Sequence, residues 1–447
     1  MRNTLKAATL ESKFPLLAVE ADCIISKDAD ITAVFEVDLP ELFTVTAAEY
    51  EAIHAAWAKA IKVLPNYTVV HKQDWFIRED YRSQTDKENL SFLSRSYEMH
   101  FNERPFLNHK CYLYLTKTTK ERMRMQSSFS SLCRGFIIPK EVDKDTTAHF
   151  LDTVGQFARI VNDTGLVHLR RLVGDEITGT ENKAGLVEKY FCLSMENTTA
   201  LEDIELGDDG LRVGDKHVSV HTLSELDALP SKVGTDCRYE RLSTDKSDCK
   251  LSFASPVGLL LSCNHLYNQY IFLDDSGENL QRFEKNARNM QSLSKYSRSN
   301  QINKEWIDLY LNDAHSFGLT SVRAHCNIIA WAENGDELRR VKNDVGSALA
   351  LMECTPHHNT TDLPVLYWAG IPGNEADFPS EESFYTFTEQ ALCFFTAETC
   401  YRNSLSPFGL RMVDRLTGKP VFLDISDLPM KKGVVTNRNK FILGPSG

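Results

Sequence analysis

The residues Gly444-Pro445-Ser446-Gly447 fit the first four places of Gly-x-x-x-x-Gly-Lys-Ser/Thr, and Phe441-Ile442-Leu443 ahead of them read as a short buried strand. That loop binds phosphate because its backbone N–H groups converge at a helix N-terminus while the lysine reaches the outer phosphates. The second glycine, the lysine and the hydroxyl residue would fall beyond Gly447, the last of the 447 residues. On these residues alone the chain holds half a phosphate-binding motif. Elsewhere, Tyr270-Ile271-Phe272-Leu273-Asp274-Asp275 has the form of a strand ending in an acid that helps hold Mg²⁺ against phosphates. It precedes the half loop, whereas in phosphate-loop ATPases such a strand follows it. An acidic turn between a strand and a capped helix explains the same residues.

Other chemistry-bearing types are sparse. His325-Cys326 and Cys354, His357 and His358 are metal-type residues, but zinc needs four ligands on a tetrahedron. Adjacent strand residues face opposite sides, so one site takes at most one of His325 and Cys326. Buried cysteine and surface histidine account for them better. The stretch Ser127–Ser131 is rich in hydroxyls with no basic residue beside it to activate one. Gly-x-Ser-x-Gly and His-Glu-x-x-His do not occur. The sequence therefore offers no catalytic residue and no metal site.

One charged region stands out. Arg282, Lys285, Arg288, Lys295, Arg298 and Lys304 face a single acid, Glu284, so residues 282–304 carry +5 against −17 for the rest of the chain. Two readings stand: a contact patch for DNA or the inner membrane surface, and a solvated helix face. The same region spaces Leu280, Phe283, Ala287, Met290 and Leu293 as a helical stripe, suited to the core or to a partner helix.

The elements that must position these residues come from an ordinary globular composition. Apolar residues are 42% and charged residues 25%, enough for a sizeable core. A net charge of −12 argues against a surface that grips nucleic acid or anionic lipid everywhere. Eleven cysteines without a Cys-x-x-Cys pair suit a reducing cytoplasm. The apolar runs fall far short of the ~20 residues that span a bilayer, and the start is not a secretory signal.

Strands are expected at 23–25, 31–37, 67–77 and 111–115, with helices at 46–64, 90–101 and 148–161. Thr46 and Glu49 form a capping box, with Tyr50, Ile53, Trp57 and Ile61 on one stripe. Glycines at 207, 210 and 214 punctuate a meander over 204–223. Beyond a polar stretch at 224–250, the pattern predicts a hairpin over 257–272, a strand at 322–331, a helix at 337–351, a strand at 365–369 and a helix at 381–395. The fold class is α+β: two mixed α/β lobes with antiparallel-rich sheets, followed by the first strand of a truncated RecA-like phosphate-loop domain. The divisions fall at 1–200 (N-terminal lobe), 201–250 (meander and polar connection), 251–400 (second lobe) and 401–447 (linker and start of the ATPase domain).

Several segments together carry a family resemblance. They are Arg2-Asn3-Thr4-Leu5, Leu64-Pro65-Asn66-Tyr67, Ser297–Trp306, Trp368-Ala369-Gly370-Ile371-Pro372-Gly373-Asn374, Ser406-Pro407-Phe408-Gly409 and Gly444–Gly447. With them the chain resembles the N-terminal portion of TraG-family conjugative-transposon ATPases, related to the CagE/TrbE/VirB motors of type IV secretion. The resemblance implies an α+β scaffold that docks a hexameric motor on the secretion channel and its inner-membrane components, at the cytoplasmic side of the bacterial inner membrane. It implies ATP and Mg²⁺ as ligands of the full-length parent and none for these residues, since the loop lysine and everything downstream are missing. DNA contact through the 282–304 region is the alternative role. Cut at that seam, residues after about 405, Val421-Phe422-Leu423 among them, are expected to lack a sheet to join and to be partly disordered or paired with another chain.

Overall fold

The computed structural model describes residues 8–83, 90–136, 144–197, 201–207, 210–293, 297–356, 362–404, 406, 409–441 and 443–444. Its strands are β1 (Leu16–Glu20), β2 (Cys23–Ser26), β3 (Ile31–Asp38), β4 (Thr68–Asp80), β5 (Pro105–Lys117), β6 (His168–Arg171), β7 (Ile204–Gly207), β8 (Gly210–Val213), β9 (Lys216–Leu223), β10 (His265–Leu273), β11 (Ser321–Ala332) and β12 (Phe384–Phe387). These twelve form one antiparallel sheet in the order β1-β2-β3-β5-β4-β10-β11-β9-β8-β7. β6 shares the edge of β3 with β2, and β12 shares the edge of β11 with β9. The fold is thus mixed α+β with antiparallel sheets.

The sheet runs through the division placed at 201–250. β4 from the first 200 residues pairs with β10 over nine positions, from His265↔Phe76 to Leu273↔Thr68. Strand pairing, not a linker, joins the two halves.

Helices cover both faces: α1 (Ala47–Ile61), α2 (Phe92–Phe101), α3 (Lys144–Asn162), α4 (Gly174–Thr178), α5 (Leu186–Cys192), α6 (Ser276–Leu293), α7 (Arg298–Phe317), α8 (Gly335–Leu351), α9 (Leu363–Ala369) and α10 (Thr388–Leu392). The capping box at Thr46 forms as expected, with the Thr46 N–H donating to the Glu49 carboxylate at 2.8 Å. Such a cap is worth about 1 kcal/mol. The stripe Tyr50, Ile53, Trp57 and Ile61 is buried, and the Trp57 ring meets Phe157 of α3 and Phe395 edge-on. α1 and α3 cover β3, β5 and β10 on one face, and α8 continues that layer over β11 and β9. α5 and α9 cover the opposite face around Trp75, Tyr114, Tyr270 and Ile329.

Four expectations are corrected. Residues 365–369 form helix α9, started by Pro364 in its first turn, rather than a strand; Pro fixes a helical φ and has no N–H to lose there. The helix expected over 381–395 is β12 followed by the short α10. The hairpin expected over 257–272 is a 3₁₀ turn at Ser255–Val257 and the single strand β10, whose partners lie at 68–76 and 323–330. Phe441 and Leu443 lie in no strand and are exposed, with no described strand beside them to take their N–H and C=O groups; Ile442 is outside the described residues.

Candidate functional site

The Trp368–Asn374 segment is built into the middle of the sheet. Residues His71, Lys72, Gln73 and Asp74 of β4 are fully buried, as are Asn268 and Gln269 of β10 and His325 and Asn327 of β11. Burying polar groups demands hydrogen bonds, and the register supplies them. Gln73 donates to Asn268 Oδ1 at 2.8 Å, and Asn268 donates to Asn327 Oδ1 at 2.8 Å. Trp75 and Tyr114 donate to Gln73 Oε1, and Gln73 Nε2 reaches the Gly370 carbonyl at 3.4 Å. The polar row therefore ends on the Trp-Ala-Gly-Ile-Pro-Gly-Asn segment.

That segment closes on itself and on its surroundings. Asn374 Nδ2 donates to the Trp368 carbonyl at 2.9 Å. The Gly373 N–H donates to Glu375 Oε1 at 3.0 Å, while Thr116 donates to Glu375 Oε2 at 2.7 Å. Gly373 has φ +91°, and a Cβ there would stand 2.5 Å from Ile24 Cγ2. Glycine is thus required on two counts. Trp368 Nε1 donates to Ser131 Oγ, which with Ser130 Oγ and the Ser131 N–H serves the buried carboxylate of Asp377. Burial pushes Asp377 up to about 6 despite Arg122 and these donors. The hydroxyl-rich stretch at 127–131 is therefore an anchor for Asp377, not a nucleophile.

On the opposite face of β4, Lys72 Nζ lies 2.6 and 2.8 Å from the Asp74 carboxylate, and His109 Nε2 lies 3.0 Å from it. Burial would raise Asp74, but Lys72 and His109 outweigh it and hold the carboxyl far below its ordinary range. These groups lie wholly inside and read as a structural ion cluster.

The phosphate-loop segment sits differently. Strands β13 (Leu410–Val413) and β14 (Pro420–Leu423) pair as an antiparallel hairpin, so Val421-Phe422-Leu423 do find a strand. The hairpin is docked on the scaffold. The Leu107 N–H donates to the Thr417 carbonyl at 2.8 Å, Arg411 Nε pairs with the buried Glu98 of α2 at 3.1 Å, and Tyr97 OH donates to the Met412 carbonyl at 2.5 Å. The expectation of disorder or cross-chain pairing after about 405 is thereby corrected for residues 409–424: an intrachain partner was available. Of the loop residues, Gly444 is exposed at the end of the described chain, and Pro445, Ser446 and Gly447 lie outside the described residues.

The basic region forms the antiparallel helices α6 and α7. Arg282 lies over the Tyr385 ring at 4.5 Å, Arg288 pairs with Glu284 at 3.7 Å and Lys304 with Asp308 at 2.5 Å. Lys285 and Arg298 are exposed; Lys295 is outside the described residues. Folding brings Glu278, Glu305, Asp308 and Asp313 onto the same helix pair, so its five basic residues share it with five acids. In the helix stripe, Ala287 is buried, Phe283 packs on Tyr310 and Tyr385, and Leu293 is exposed.

The remaining candidates resolve into structure. Asp274 pairs with the buried Arg323 at 2.7 Å, and Asp275 accepts from the Glu278 N–H at the start of α6. His325 is bonded to the Glu382 carbonyl and Asn327, and burial pushes it down to about 3. Among the described residues no group of three His, Cys, Asp or Glu side chains is placed to hold a metal; His357 and His358 lie outside them. No helix of the described residues is long and apolar enough to cross a membrane.

Comparison with known families bears on both ends of the chain. Residues 409–447 match the family model described as the TraG P-loop domain, which bears out the TraG-family resemblance drawn from Ser406–Gly409 and Gly444–Gly447. Residues 3–55 match a model described as "Domain of unknown function, B. Theta Gene description (DUF3875)". No curated protein matches the chain.

Proposed function

We propose that residues 1–400 are the docking scaffold of a conjugation ATPase of the type IV secretion kind, and that the scaffold carries the TraG P-loop segment on its α2–β5 side. The observation that supports this reading is the docked hairpin: a phosphate-loop segment is fixed to a large sheet through Arg411–Glu98, Tyr97–Met412 and Leu107–Thr417. No nucleophile, base and oxyanion donor converge among its described residues. Its contribution is therefore position rather than chemistry. ATP and Mg²⁺ are the ligands this reading expects of the motor's phosphate loop.

Channel components, inner-membrane proteins and further copies of the motor are the partners this role calls for, with the protein at the cytoplasmic membrane surface. DNA or lipid contact through α6 and α7 is the weaker reading, because the acids on those helices offset most of their positive charge. The test is genetic. In the cell that encodes the protein, Arg411→Ala combined with Tyr97→Phe should lower conjugative transfer at least tenfold while the protein accumulates normally. Unchanged transfer with a demonstrably loosened hairpin would end the docking proposal. Steep, salt-dependent DNA binding by the purified chain, lost on neutralising Lys285 and Arg298, would favour the alternative.

A further inference from the structure

A cleft of about 280 Å³ opens on the far side of β5 from the ion cluster, walled by Lys110, Tyr112, Lys183, Lys189, Leu172 and Met195, with Glu36, Glu79, Arg170 and Glu176 also on its lining. Its acids are already engaged. Arg170 binds Glu36 at 2.7 Å and Glu176 at 2.9 Å, and Glu79 accepts from Asn108 at 3.1 Å. Its lysines are held less tightly. Lys110 pairs with Glu36 at 3.6 Å with both side chains partly exposed, and the carboxylates of Glu36 and Glu176 are taken by Arg170 rather than by Lys183 or Lys189. Burial lowers the Lys189 ammonium, and repulsion from Lys183 and Lys110 lowers it further. Like charges left facing one another across a cleft mark a place where an anion is stabilising.

Two further features show a built site. Tyr112 is 8% exposed and lines the cleft, yet its hydroxyl makes no hydrogen bond to a described residue. The ring is buried while the hydroxyl opens into the cleft, which leaves its O–H free to donate to a bound acceptor. Lys183 is held over the cleft by a tight ladder, Gly179–Thr180 against Lys183–Ala184. At Gly179 (φ +90°) a Cβ would stand 2.6 Å from the Gly185 nitrogen, so the ladder closes only with glycine there. The Gly185 N–H in turn donates to Glu188 at 2.8 Å, fixing the start of α5 and with it Lys189.

We infer that this cleft binds a phosphate monoester, its phosphate among Lys183, Lys189 and Lys110 with the Tyr112 hydroxyl donating to it, and its organic part against Leu172 and Met195. Three ammonium groups and a neutral O–H donor match a dianionic group with three acceptor oxygens. The volume admits a small body only. A soluble ester and the headgroup of phosphatidic acid offer the same group.

Binding of inorganic phosphate and glycerol 3-phosphate to the whole chain, followed by calorimetry and by melting temperature, tests the assignment. Chloride at matched ionic strength serves as the control. Saturable millimolar or tighter binding is expected, weakened at least tenfold in Lys183→Gln/Lys189→Gln and severalfold in Tyr112→Phe. Equal binding by the double variant, or a melting shift that chloride reproduces, overturns it. Cosedimentation with phosphatidylcholine vesicles, with and without phosphatidic acid, separates the sources. Capture that needs phosphatidic acid and both lysines assigns the lipid, whereas soluble binding without capture assigns the free ester. Absence of both overturns the proposal. The Lys189 ammonium of the unmodified chain gives an independent reading: phosphate should raise its titration midpoint, and an unmoved midpoint is a negative result.

Discussion

Trp368–Asn374 carries part of the sequence resemblance to TraG-family proteins and Leu410–Leu443 lies within the TraG P-loop match at 409–447, yet the fold holds them in opposite ways. The first is buried throughout, with hydrogen bonds inside the segment and to β4, β5 and the 130–131 turn. The second shows Leu410, Met412, Val434, Val435, Phe441 and Leu443 to solvent and is tied down by a few side chains of α2 and one backbone bond to β5. An over-determined segment fixes geometry, and a lightly held one can move or be covered. The difference locates rigidity in the centre of the sheet and adaptability at the phosphate-loop end.

The comparison breaks hardest if the central polar cluster is dispensable. Asp74→Ala leaves the Lys72 ammonium buried without its carboxylate, and unfolding measured by denaturant should show a loss of about 3–5 kcal/mol. A loss below about 1 kcal/mol would mean that Lys72 escapes to water and that the centre is softer than described.

Next in size is a pH effect. Glu398 is buried against Ser252 and Tyr50, and burial pushes it up to about 7. A carboxyl raised in the fold favours the protonated native state. Its stabilising effect is full below the unfolded value near 4.5, fades as pH rises to about 7, and is then lost, on the order of 3 kcal/mol across that window. Glu398→Gln should flatten this part of the stability profile. His325 and His265, pushed down to about 3 and 4 by burial, work in the opposite sense: they destabilise the fold only as pH falls below about 6.5. Their slope should remain in the variant.

Gly373→Ala adds a Cβ at positive φ into Ile24 and should cost about 2 kcal/mol or more, read as a lower melting temperature. The smallest effect belongs to the other region. Arg411→Ala should cost about 1 kcal/mol and act locally, raising amide exchange at 410–423 while leaving exchange in β4 and β10 unchanged. Equal acceleration in both places would erase the distinction between the regions.

How much of this was legible beforehand follows the range of the interactions. The capping box, the stripe of α1, the helix at 335–351 and the meander are written in residues a few positions apart, and the fold keeps them. The 365–369 run misled because five apolar residues suit a strand or a buried helix equally, and the useful sign was Pro364 at its first turn. In sequence, β10 reads as half of a local hairpin because nothing nearby says that its partner is residues 68–76. The run His-Lys-Gln-Asp at 71–74 looks like solvent-facing polarity, and only the pairing with Asn268 and Gln269 makes its burial sensible. For the site, the basic count over 282–304 missed the acids that folding adds from α7. The lysine cleft was invisible, since Lys110, Lys183 and Lys189 come from three separate elements.

The pairing of β4 with β10 also sets a clock on biosynthesis. The edge of β4 is complete once residue 80 has left the ribosome, but its partner ends at Leu273, and at roughly 5–20 residues per second that strand arrives some ten to forty seconds later. Throughout that interval the nascent chain exposes a thirteen-residue edge to every other growing copy on the same message. An unpaired edge of that kind is a template for pairing with another chain until β10 arrives to cover it.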